Sequence, residues 1–82
     1  MFKNGMRRVH PGEILREDYQ KEMALSTTAL AWKLDVCAQM LGEVLAERRG
    51  ISADMAERLS TRLGTTKAFW LNLQNAYDSS AP

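Results

Sequence analysis

The chain is short of several things that whole classes of protein depend on. It has one cysteine, Cys37, so no internal disulfide framework can form, and a lone thiol fits a reducing compartment. It has one histidine, His10, and one His with one Cys falls short of the three or four convergent ligands a zinc site requires. No glycine pattern cradles a phosphate, and Cys37 has no neighbouring histidine in sequence to activate it. Catalysis, a metal and a cofactor are therefore not expected. No apolar run approaches the roughly 20 residues that span a bilayer. The opening Met1-Phe2-Lys3-Asn4-Gly5-Met6-Arg7-Arg8 carries charge with no apolar segment behind it, which does not read as a signal peptide. These absences point to the cytoplasm and away from a membrane. There is no excess of one charge either. Eleven Lys/Arg stand against ten Asp/Glu, so any case for nucleic acid must rest on a motif and on local placement.

What is present is helical. With 82 residues, 45% of them hydrophobic and 26% charged, the chain is one small globular domain whose limited core would gain from dimerisation. Apolar residues recur with helical spacing, and no period-2 alternation is long enough for a strand. Five helices are predicted. The first runs from about Pro11 to Met23, with Pro11 suited to the first turn, His10 to a weak cap, and Ile14, Leu15 and Tyr19 facing inward. The second starts at the cap Ser26 and ends near Leu34; the third runs from near Cys37 to about Glu47. The fourth is capped by Ser52 and stopped by Gly64, and the fifth follows Thr66. Residues 1–9 read as a flexible arm, 10–77 as the domain and 78–82 as a frayed tail.

The second and third helices carry the informative spacing. Ala31 is small enough for two helices to cross closely. Four residues on, Asp35 stands where a tight turn needs positive φ, and Val36 plugs the corner. Leu30, Leu34, Leu41, Val44 and Leu45 complete a shared core. These offsets match the helix-turn-helix motif; an ordinary helical hairpin is the alternative they leave open. The third helix would then present Ala38, Gln39, Gly42, Glu43 and Ala46 outward. Gln39 can grip adenine with two hydrogen bonds, and Ala38 can touch a thymine methyl. Glu43 is awkward beside phosphates unless it accepts from a cytosine amino group. Phosphate contacts fall to Ser26, Thr27 and Thr28 at a helix N-terminus, to Lys33, and to Arg48 and Arg49. Arg48 and Arg49 equally suit dipole compensation at the end of the third helix. Cys37 is expected to be partly buried, and Trp32 to lie near the outer side of the motif, packed on the N-terminal arm or functional.

On the fifth helix, Phe69, Trp70, Leu73 and Tyr77 spread wider than one stripe, so they divide between core and a two-fold dimer interface. Arg7 and Arg8, with the first helix, are the candidate surface for a protein partner.

The chain resembles the HigA-type antitoxins of the wider Cro/repressor-like, XRE-type family. The resemblance rests on His10-Pro11-Gly12-Glu13-Ile14-Leu15, Leu25-Ser26, Ala29-Leu30-Ala31 with Leu34 and Val36, Arg49-Gly50-Ile51-Ser52-Ala53-Asp54-Met55-Ala56 with Arg58-Leu59, Leu63-Gly64-Thr65-Thr66 and Phe69-Trp70-Leu71-Asn72-Leu73-Gln74. It covers residues 10–77. It implies an all-α, five-helix Cro/repressor-like domain that dimerises through its last helix. It also implies a cognate HigB-type toxin, typically a ribosome-dependent ribonuclease, and repression of the shared operon through operator DNA. The alternatives are a toxin-binding module with little DNA binding and a stand-alone transcriptional regulator. The chain departs from the family's usual pattern at Asp35, where a glycine is common, near Cys37, and at Ala38, Met40, Gly42 and Glu43.

Overall fold

The computed structural model describes residues 8–80, and within them the backbone forms five helices and no strand. Helix α1 covers residues 11–23 as one continuous run: Pro11–Ile14 is α-helical, Leu15–Gln20 is a π-helical turn and Lys21–Met23 is α-helical again. The π turn, in which the Lys21 N–H reaches back five residues to the Arg16 carbonyl, was not foreseen. Helix α2 is Thr27–Leu34, α3 is Ala38–Leu45, α4 is Ala53–Leu63 and α5 is Lys67–Ser79.

The caps are those expected from the sequence. Ser26, Ser52 and Thr66 accept backbone hydrogen bonds from Ala29, Met55 and Phe69, each three residues into its helix. The buried His10 does the same for α1, its Nδ1 accepting from the Gly12 N–H at 2.8 Å. Gly64, at φ 74°, ends α4.

Two helix ends differ from expectation. Helix α3 stops at Leu45 rather than Glu47, because Glu47 turns left-handed at φ 63° and the Arg48 N–H closes back on the Glu43 carbonyl. That is a Schellman-type stop made without glycine. Helix α5 runs on to Ser79, so Asp78 and Ser79 belong to the helix and not to a loose tail.

One core joins all five helices. Leu15, Leu30, Ala31, Leu34, Leu41, Val44, Leu45, Ile51, Met55, Ala56, Leu59 and Trp70 are buried together. Trp70 sits fully inside, and its Nε1–H donates to the Thr65 hydroxyl at 2.7 Å, so the polar end of the indole is satisfied. Helix α1 crosses α3 at Gly12. A Cβ there would lie 1.8 Å from the Val44 carbonyl oxygen, so only hydrogen fits. Arg16, one turn further along, donates to the Leu45 carbonyl at 2.5 Å and to Glu47 at 3.3 Å. It thereby places a cation at the C-terminus of α3, the job considered for Arg48 and Arg49.

Candidate nucleic-acid interface

The motif folds as its spacing requires. Ala31 is buried in the crossing, and Asp35 takes φ 59°, ψ 47° at the end of α2. The Val36 N–H bonds back to the Ala31 carbonyl, and Val36 packs half-buried against the core. Aspartate tolerates this left-handed corner better than most residues, and here it is also held from outside. Arg58 on α4 donates to the Asp35 carbonyl at 2.7 Å and to its carboxylate at 3.0 Å, and also pairs with Asp54. Those side-chain contacts were not foreseen, because the partners lie 23 residues apart.

Leu41, Val44 and Leu45 turn inward, leaving Ala38, Gln39 and Ala46 exposed and Gly42 and Glu43 half-buried on the outer side of α3. Gly42 serves no packing need: an added Cβ would meet only the Thr27 methyl, at 3.9 Å. Cys37 precedes α3 and is exposed, not partly buried as expected, since the turn carries it away from the core. The Met40 and then the Gln39 backbone N–H groups pull its thiol pKa down, yet its side chain closes no cap hydrogen bond. The first turn of α3 is thus left without the side-chain acceptor that α2, α4 and α5 possess.

Glu43 is not a bare carboxylate on this face. Arg49, in the connection after α3, reaches back to it at 2.7 Å. This neutralises the group expected to repel phosphates, and it also means that Arg49 is already engaged. Arg48 is exposed in the same connection.

Of the other candidates, Ser26 and Thr28 are exposed at the start of α2, while the Thr27 hydroxyl accepts from Gln20 Nε2 at 3.4 Å. Lys33 is exposed at the far end of α2. Thr28, Lys33 and Ala38 come together along one groove. Trp32 stands there 85% exposed and does not pack as an ordinary core residue.

The remaining candidates lie at the other end of the molecule. Trp70 has no surface to offer a partner, which removes it from the expected dimer interface. Phe69 is 40% exposed, stacked edge-on against Trp70, and Leu73 is half-buried. Tyr77 is half-buried between the His10 ring and the Arg8 guanidinium, which lies 3.9 Å above its ring centre. Arg8 also donates to the Tyr77 carbonyl and to Ser80, so it is fastened to the end of α5. Arg7 lies outside the described residues. Among the described residues no cluster of His, Cys, Asp or Glu could hold a metal ion, and no helix is long and apolar enough to cross a membrane.

Two short helices meeting at a left-handed aspartate, with the second presenting a polar outer strip, define a helix-turn-helix domain of the Cro/repressor type. No protein-family model matches the chain. It is 51% identical over 76 residues to virulence-associated protein I of Dichelobacter nodosus, covering 93% of this chain and 70% of that protein. Among solved structures it is similar to antitoxin GraA, with a TM-score of 0.86, 58% identity, and 90% and 80% of the two chains covered. It is similar also to the Pseudomonas aeruginosa antitoxin HigA solved with the higBA promoter, with a TM-score of 0.86, 46% identity, and 90% and 80% covered. The chain belongs to the HigA family of antitoxins. It spans from 60% to 73% of the length of its curated relatives.

Proposed function

We propose that the protein is the antitoxin of a type II toxin–antitoxin pair. It binds operator DNA as a dimer to repress its own operon, and it neutralises a ribonuclease toxin by binding it in the cytoplasm; it performs no catalysis itself. The observation that carries the DNA half of this reading is the α2–Asp35–α3 corner, together with the relative solved on promoter DNA. Helix α3 enters the major groove, where Gln39 reads a base and Ala38 offers its methyl. Ser26, Thr27, Thr28, Lys33 and Arg48 hold the backbone, joined by Arg49 once it leaves Glu43.

Phe69 and Leu73, with the edge of Tyr77, supply the two-fold contact along α5. A two-fold dimer sets two copies of α3 about one helical turn apart on the duplex. The toxin is proposed to contact the arm around Arg7 and Arg8. Because Arg8 is already bonded to α5, charge reversal there tests both the arm's docking and the toxin complex. The reading is tested by whether the purified protein prefers its own upstream DNA to a scrambled duplex. Equal, weak binding to both would leave a toxin-binding module as the function.

A further inference from the structure

A groove of about 860 Å³ runs between α2 and the end of α4. Its walls include Thr28, Trp32 and Lys33 from α2 and Thr61 and Arg62 from α4. It opens onto Ala38, the first residue of α3, and is therefore continuous with the strip that faces DNA. Trp32 is the most exposed large apolar side chain among the described residues, at 85%. Packing does not explain it.

The charges along the groove do not cancel. Its one carboxylate, Asp35, is held by Arg58 at 3.0 Å, whereas Arg62 stands 3.9 Å from it. No ion pair or hydrogen bond engages the Lys33 ammonium among the described residues. The groove thus offers two under-used cations, two threonine hydroxyls and an indole N–H, all of them donors to an anion. A flat aromatic flanked by cations and hydroxyls is also how proteins hold the sugar–phosphate chain of nucleic acids.

We infer that this groove is a second DNA contact, taking the phosphate backbone that borders the major groove where α3 enters, with Trp32 and Arg62 as its principal residues. The inference rests on the operator-binding reading and enlarges its footprint from the strip on α3 to the flank of α2.

The test uses the full chain and two duplexes, one carrying its own upstream region and one scrambled, titrated at several salt concentrations. Trp32→Ala should weaken binding to both duplexes by roughly tenfold, and Arg62→Gln should lower the salt slope by about one, because neither contact reads sequence. Trp32 is exposed while Trp70 is buried, so an unchanged circular dichroism spectrum is expected for Trp32→Ala. Acrylamide should quench Trp32 in the free protein and much less in the complex. If the wild-type chain selects its operator but both variants keep its affinity and slope, the groove is overturned and the repressor reading stands. If the wild-type chain shows no selectivity and Trp32 stays open to quencher on DNA, both fall. Loss of toxin affinity in Trp32→Ala with DNA affinity intact would make the groove a protein-docking surface and overturn the inference.

Discussion

Single residues set the geometry on which reading DNA depends. Asp35 occupies the left-handed region, which costs a side chain with a Cβ about 1–2 kcal/mol, and its carboxylate repays part of that by pairing with Arg58. Asp35→Ala keeps the strain and loses the partner, so urea unfolding should show a loss of about 1 kcal/mol. Asp35→Gly removes the strain and should sit close to wild type. Gly12 is a sharper case. Gly12→Ala drives a methyl into the Val44 carbonyl and should cost about 3 kcal/mol or prevent folding, read from the same urea transitions. The α2–α3 corner was legible in the sequence because its constraints are local: a small residue, a turn residue and a plug at fixed offsets. Gly12 was not, because its constraint comes from a backbone 32 positions away. The same holds for Glu43, whose neighbour Arg49 returns only because the helix stops early at Glu47.

At the scale of the helices, what the sequence showed were starts, and what it hid were ends and crossings. Ser26, Ser52 and Thr66 announce themselves by position, since each cap acts on its own first turn. The end of α3 is governed instead by Arg16, reaching across from α1 to the Leu45 carbonyl. Arg16→Gln should therefore loosen the end of α3 and speed amide exchange there, with little effect on α4. The start of α1 brings a pH dependence. Burial is the main cause lowering the pKa of His10 below its usual 6.5, with Arg16 and Arg8 adding to it and Glu47 and Asp78 opposing. The unprotonated Nδ1 is also the acceptor of the Gly12 cap. In the window below 6.5 the unfolded chain binds this proton more readily than the folded one. The His10 contribution is then fully present above pH 6.5 and is lost as pH falls through the lowered folded value. Thermal melts from pH 7.5 to 5 should show this decline, and His10→Asn, which keeps a cap without the titration, should flatten it.

The whole molecule is a small core with two working ends, the DNA strip with its flanking groove and the outer side of α5. On α5, Phe69→Asp should weaken self-association and leave the fold intact, because the ring is 40% exposed; sedimentation at micromolar concentration would show the shift to monomer. Composition alone said nothing about either end, since the net charge of +1 hides how the cations are placed. The measurement that bears most directly on the account is fluorescence anisotropy of the protein with its own upstream duplex and a scrambled one at two salt concentrations, repeated with Gln39→Ala. The account predicts tight, selective binding that weakens with salt, and loss of selectivity in the variant. Equal affinity for both duplexes, unchanged by Gln39→Ala, would contradict it.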